Sequence, residues 1–307
     1  MTGSDLLEGI VVRSHGGHYY VEIDDQPSEI LDCGLRGRLK QESAESDLVA
    51  VGDQVRVTRL GEDRGTIEEI LPRQSALSRC PPPPRRPVEQ VIVANVDLVL
   101  TVFSVANPPL NPFMLDRYLV TCEVEELDVV IVANKMDLVR SGRNIDLLDM
   151  YESVGYQVLR TSVRTGQGLP ELRDLLRNRL TVLTGPSGAG KSSLLNALWP
   201  HLELETGEVS TYHDRGTHTT VVSQLLRPEP GIRVTDTPGL RQFRLWDIDP
   251  ESLDGLFPEM RPYLSNCRFS PCSHIHEPGC SVKAAVEQGQ IPEIRYESYC
   301  RMYAHGF

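Results

Sequence analysis

The sequence predicts a multidomain protein: an N-terminal β-barrel, a central parallel α/β domain, and a mostly helical C-terminal domain carrying a metal-type cysteine and histidine cluster. Three observations support that division. Residues up to about Arg79 read as short strands separated by glycine and aspartate, and the stretch beyond a proline run alternates apolar strands with helical segments. After Trp246, three cysteines crowd beside two histidines. The expected divisions are 1–79 for the barrel, 80–87 for a linker, 88–245 for the α/β domain and 246–307 for the tail.

In the first segment, "HYYVEID", "EILDCGLRGRLK", "VGDQVRVTRL" and "RGTIEEILPR" alternate in character, and none holds a helical period, so a small closed or half-closed barrel is expected. The prolines of "CPPPPRRPVEQ" (Cys80 to Gln90) lack backbone donors and exclude both a helix and a central strand, which makes this stretch a linker. Beyond it, "VDLVLTVFSV", "LDVVIVANK", "YQVLRTSV", "LTVLTG" and "IRVTDTPG" read as strands. They alternate with helical stretches such as "PFMLDRYLVTCEV" and "LPELRDLLRNRL", the pattern of a parallel sheet with helices on both faces. In the tail, "AAVEQGQIPEIRYESYCRMY" reads as helix.

With 307 residues, 40% of them hydrophobic, the chain can bury a sizeable core. A net charge of −12 argues against a general nucleic-acid coat, although Arg36, Arg38 and Lys40, and Arg85 with Arg86, form local basic clusters that could face RNA. There is no signal-type start and no apolar run long enough to span a membrane, so a cytoplasmic protein, taken as a monomer, is expected. In that reducing setting, crowded cysteines read as metal ligands rather than disulfides.

Gly185, Gly190, Lys191 and Ser192 satisfy the phosphate-loop pattern between a strand and a helix. The backbone N–H groups of Gly185, Pro186, Ser187, Gly188, Ala189 and Gly190, proline excepted, would turn around a phosphate, with Ser193 in the first helical turn. Lys191 would reach the β and γ phosphates and Ser192 would ligate Mg2+. In "DTPG", Asp236 would hold the Mg2+ shell and the Gly239 N–H would sense a γ-phosphate.

Asn134, Lys135, Met136 and Asp137 follow the strand "DVVIVA". The Asp137 carboxylate can accept from guanine N1–H and N2–H, Asn134 can bond the ring edge, and Lys135 can lay its stem over the nucleotide. "TSV" (Thr161 to Val163) follows the next strand, so Ser162 and Val163 would supply the backbone contact to guanine O6. The usual order puts the phosphate loop before the guanine reader, and here it comes after, so the chain reads as a circularly permuted G domain. In the tail, Cys267, Cys272 and Cys280 with one imidazole form a tetrahedral set suited to structural Zn2+, and by spacing either His274 or His276 could be the fourth ligand.

That order, with "VGD", "GTIEEILPR", "NVD", "DRYL", "NKMD", "GPSGAGKSSLLN", "HTT", "DTPG" and "CRFSPCSHIHEPGC", resembles the RsgA (YjeQ) family of ribosome small-subunit-dependent GTPases over nearly the whole chain. The resemblance implies that the barrel is an RNA-binding OB-fold and that His274 is the fourth zinc ligand. It also implies that GTP is hydrolysed on the small ribosomal subunit late in its assembly. Leu240 occupies the position where many GTPases carry a water-orienting Gln, so another group must serve. His218 is the candidate, with Thr219 and Thr220 closing on Mg2+ and the γ-phosphate, and Gln242 is a weaker alternative. Thr217, Val163 and Val221 also depart from the family pattern. A different reading is an RNA-binding module that nucleotide merely props, and Leu240 leans that way.

Overall fold

The computed structural model describes residues 6–24, 26–37, 39, 49–79, 90–140, 142–206, 224–236 and 248–306. Five strands, β1 (Leu7–His15), β2 (His18–Ile23), β3 (Gln26–Leu35), β4 (Gln54–Arg59) and β5 (Arg64–Ile70), form the first unit. β1, β2 and β3 pair antiparallel in sequence, β3 pairs parallel to β5, and β4 pairs with both β5 and β1. That closure is a five-stranded Greek-key barrel of OB-fold type. It follows from strict alternation: Val55 and Val57 of β4 and Ile67 of β5 point inward onto Val11, Val21, Leu31 and Cys33. Gly65 is needed where the barrel is tightest, because a Cβ there would lie 2.6 Å from Val57 and 2.9 Å from Cys33.

β6 (Ala76–Arg79) and β7 (Gln90–Ala94) pair antiparallel, Ala76 with Ala94 through Arg79 with Gln90. The residues flanking the proline run are therefore held side by side, where the sequence suggests an extended connection. Most of the run itself lies outside the described residues.

The central sheet contains β8 (Leu98–Ser104), β9 (Val129–Asn134), β10 (Gln157–Arg160), β11 (Arg179–Thr184), β12 (Gln224–Leu226) and β13 (Ile232–Asp236), in the order β10-β9-β8-β11-β13-β12. All are parallel except β12. Central β8 is buried at every residue, as a strand covered on both faces must be. One face packs Val99, Phe103 and Ile131 under α1 (Pro112–Val124) and α2 (Gly142–Ser153). The other packs Leu100, Val102 and Val132 under α3 (Leu169–Leu175) and α4 (Lys191–Leu198). The sheet then continues into the barrel, since β12 pairs with β1 at Gln224 and Arg13.

Short 3-10 segments Pro250–Leu256 and Arg261–Asn266 lead to α5 (Ser281–Glu287) and α6 (Glu293–His305). The stretch expected as one helix is two: Gly289 adopts φ +70° just beyond α5, and Pro292 caps α6. Phe257, Met260, Tyr299 and Met302 pack against Val120 of α1. At the same junction Arg295 is fully buried between Asp116 of α1, 2.6 Å away, and Glu259, also 2.6 Å away.

Candidate guanine-nucleotide site and metal centre

The strand order reverses direction between β8 and β11: β9 and β10 continue to one side of β8, β11 and β13 to the other. Ligands of open α/β sheets bind in the crevice outside the carboxyl ends of the strands at such a switch point. The predicted motifs converge there. β9 ends at Asn134 opposite Ser104, β11 runs into the phosphate loop, and β13 ends at Asp236 in register with Leu183. The backbone of Asp236 thus lies on the strand beside the phosphate-loop strand, while its side chain, like all of Gly239, His218, Thr219, Thr220, Thr217, Val221, Leu240 and Gln242, lies outside what is described.

Asn134 is 1% exposed and ties two loops together. Its amide donates to the Ala189 carbonyl in the phosphate loop at 2.9 Å, and its Oδ1 accepts from the Thr161 hydroxyl at 3.2 Å. These bonds use one of the two amide N–H groups and one of the two Oδ1 lone pairs, so the side chain joins the two loops and keeps a donor and an acceptor site for a ring edge. The approach is close enough to demand glycine: a Cβ on Gly190, at φ +96°, would lie 2.4 Å from Asn134 Nδ2. Lys135, itself at φ +63°, donates to the Gly188 carbonyl at 2.7 Å and to the carbonyl of Asn107, laying its stem across the same loop.

Asp137 accepts from the Ser162 hydroxyl at 2.7 Å, and the Ser162 oxygen accepts from the Thr165 N–H at 3.2 Å. Those bonds aim the carboxylate. The Met136 N–H reaches the Thr161 carbonyl at 3.0 Å, and its side chain packs on Val105, Ala133 and Leu148. Val163 is exposed in the same turn. Lys191 donates to the carbonyls of Gly185, at 2.8 Å, and Pro186, at 3.1 Å. Gly185 lies so close to β8 that a Cβ would meet the Val102 oxygen at 2.0 Å. Ser192 and Ser193 open α4, where Gly190 precedes the first turn and leaves its N–H groups facing the loop. A cleft of about 600 Å3 beside the loop, lined by Phe103, Pro108, Leu110, Met114 and Pro186 among others, is mostly apolar and therefore unsuited to phosphate.

In the tail, the ligand atoms of Cys267, Cys272, His274 and Cys280 all lie within 4.8 Å of one another. His274 Nδ1 is 3.5 Å from Cys267 Sγ and 3.3 Å from Cys280 Sγ, while Nε2 meets the Asp254 carboxylate at 3.0 Å. A carboxylate on the far nitrogen is the usual partner of a metal-bound imidazole, because it fixes the tautomer and orientation of the ring. His276 is exposed and outside the cluster. Burial pushes Cys272 up to about 12 and raises Cys280 as well, whereas Cys267, despite its own burial, is brought down to about 7 by hydrogen bonding with Ser281. Three thiolates at this spacing therefore need a cation, and the donor set fits a metal. Asp254 was not legible in the sequence, since nothing in its spacing marks it; Thr161 and Asn107 likewise act through position alone. Of the basic residues noted as RNA candidates, Arg36 is paired with Glu68, and Arg38, Lys40, Arg85 and Arg86 lie outside the described residues.

Comparison with known proteins agrees with this arrangement. The RsgA GTPase family model matches residues 70–246 and the RsgA N-terminal domain model matches residues 8–67. The small ribosomal subunit biogenesis GTPase RsgA of Gemmatimonas aurantiaca is 45% identical over 297 residues, covering 96% of this chain and 95% of that protein. Its counterpart in Moorella thermoacetica is 42% identical, covering 97% of each. The crystal structure of YjeQ from Thermotoga maritima superposes with a TM-score of 0.79 at 36% identity, covering 98% of each chain. YloQ, described as a circularly permuted GTPase, superposes with a TM-score of 0.74 at 30% identity, covering 100% of this chain and 97% of that one. With both sequence blocks and the permuted fold in common, the chain belongs to the RsgA family of circularly permuted GTPases.

Proposed function

We propose that the protein is a Mg2+-dependent GTPase that binds the small ribosomal subunit late in its assembly, hydrolyses GTP in response to that subunit, and uses hydrolysis to trigger its own release. The observation that carries this reading is the Asn134 amide bonded to the phosphate loop at Ala189, which couples guanine recognition to phosphate binding. The relatives' names, small ribosomal subunit biogenesis GTPase, supply the assembly partner. In this reading Asp137 selects guanine, Lys135 covers the nucleotide, the backbone at Ser162 and Val163 faces O6, and the loop from Gly185 to Ser193 holds the phosphates. Ser192, Thr219, Thr220 and Asp236 hold Mg2+, which neutralises developing phosphate charge when bound.

His218 is proposed to orient the attacking water, and Gly239 to sense the γ-phosphate. Zn2+ on Cys267, Cys272, His274 and Cys280 is structural, with no open coordination position. Residues 1–79, 88–245 and 246–307 act as barrel, G domain and zinc domain, joined through 80–87, in a cytoplasmic monomer. Among the described residues no helix is long and apolar enough to cross a membrane.

The test is GTP turnover by the full chain, alone and with isolated small subunits, large subunits or free rRNA, with Lys191→Ala as blank. Stimulation by small subunits alone is expected. Binding to them without faster turnover refutes the subunit-gated enzyme in favour of an RNA-binding module. His218→Ala with undiminished stimulated turnover removes that residue from the mechanism.

A further inference from the structure

The barrel and the nucleotide sheet form one hydrogen-bonded surface, joined through β12. Gln224 of β12 is in register with Asp236 of β13 on one side and with Arg13 of β1 on the other. The barrel therefore sits one strand away from the strand that ends in the proposed Mg2+ aspartate. β12 also follows directly on the segment containing Thr219 and Thr220.

Among the described residues, side chains also cross that junction. Arg227, immediately after β12, is ion-paired with Glu22 of β2, whose side chain is 6% exposed. Next to them the Arg13 guanidinium lies 3.8 Å from the centroid of the Tyr20 ring. Leu225 is buried in the core that contains Ile10 and Val12 of β1, with Tyr20 packed on it. A carboxylate this covered needs its cation, so the pair holds β12 against the barrel in one arrangement.

We infer that Glu22 and Arg227 are positioning residues for GTP hydrolysis: they clamp the strand leaving the Thr219 and Thr220 segment to the barrel, so that RNA bound by the barrel bears on the strand pair that carries Asp236. Neither residue belongs to the nucleotide or metal sites described above. The inference rests on the subunit-stimulated GTPase reading.

Its test uses the full chain with Glu22→Gln, Arg227→Gln and the exchange variant Glu22→Arg with Arg227→Glu. Basal turnover and the affinity for a fluorescent GDP are expected to stay within about twofold, while subunit-stimulated kcat falls about tenfold at an unchanged half-saturating subunit concentration. Backbone amide exchange across Gln224–Leu226 and Ile232–Asp236 should quicken in the single variants. The exchange variant is expected to restore both readouts. Should it not fold, Arg227→Lys, which keeps the charge, is expected to retain most of the stimulation.

A merely structural pair would lower basal turnover and GDP affinity together with stimulation, and that result overturns the inference. So does stimulated turnover in Glu22→Gln equal to that of the parent. If the parent itself is indifferent to small subunits, the proposed function fails and the coupling with it; unchanged amide exchange would then show that the clamp is absent too.

Discussion

Replacing Arg295 by Met should detach the C-terminal domain from the G domain. The Arg295 side chain is 0% exposed, as is that of Asp116, and the Glu259 side chain is 4% exposed. The guanidinium also lies 4.7 Å from the Phe257 ring centroid, and Asp116 accepts a further bond from the Tyr151 hydroxyl at 2.8 Å. Methionine fills a similar volume, so the loss is mainly electrostatic: two carboxylates are left buried without their cation. Breaking a buried pair costs about 3–5 kcal/mol, a large share of the ~5–15 kcal/mol that holds a domain folded. Burial raises the Asp116 pKa above its ordinary value, so in the variant its folded pKa exceeds its unfolded one. Protonation of Asp116 then favours the folded form at acid pH, and that relief is lost as pH rises, making the deficit larger at pH 8 than at pH 5. Urea titration followed by circular dichroism, with amide exchange over α1 and α6 to localise the loss, measures it. The apolar triple replacement of Arg295, Asp116 and Glu259 should recover most of the stability, because no charge remains to be desolvated. A cost below about 1 kcal/mol for Arg295→Met, or a triple variant as unstable as the single one, refutes the reasoning.

Three further outcomes are expected. Gly190→Ala forces a Cβ against Asn134 at 2.4 Å and an alanine into φ +96°; fluorescent GDP titration should show affinity reduced by at least about tenfold with the circular dichroism spectrum unchanged. Asp137→Asn replaces an acceptor by a donor on the edge proposed to read guanine; competition binding should show GTP weakened by about a hundredfold and a xanthine nucleotide, whose C2 carbonyl is an acceptor, preferred. Asp254→Ala frees the far nitrogen of His274, and competition with a chromophoric chelator should give about 10–100-fold weaker zinc binding, whereas His276→Ala should leave it unchanged.

Much of the site was legible because its chemistry sits at fixed local spacing. The phosphate loop, the Asn134 to Asp137 tetrapeptide and the cysteine cluster each fall within one loop, so side-chain type and separation describe them. Helix α1 was legible to the residue: Asn111 accepts from the Met114 N–H as N-cap and Pro112 opens the first turn. The tail helix was read through a break that its own Gly289 and Pro292 signal, since apolar periodicity on either side masked them. What stayed hidden are pairings between distant residues. Glu22 and Arg227 are 205 residues apart and Arg295 and Asp116 are 179 apart. Both pairs consist of ordinary charged residues that acquire meaning only through burial.

Those two distant pairs also give the permuted order a physical consequence. In this chain the barrel precedes β8 and so joins the sheet at the amino end of that strand, whereas the C-terminal domain follows the segment after β13, whose carboxyl end borders the crevice. Each then returns to the G domain at a second point: the barrel at β12, the C-terminal domain at α1 through Arg295. Helix α1 begins directly after the loop whose Asn107 carbonyl accepts from Lys135, and β12 is paired with the strand that ends at Asp236. A body attached at one point can swing without disturbing the site, but a body attached at two transmits load between them. The barrel is thereby linked to the proposed phosphate and metal side of the site and the C-terminal domain to its proposed guanine side. Loss of the Arg295 joint should accordingly alter guanine-nucleotide affinity more than the subunit response, and loss of the Glu22 and Arg227 joint should do the reverse.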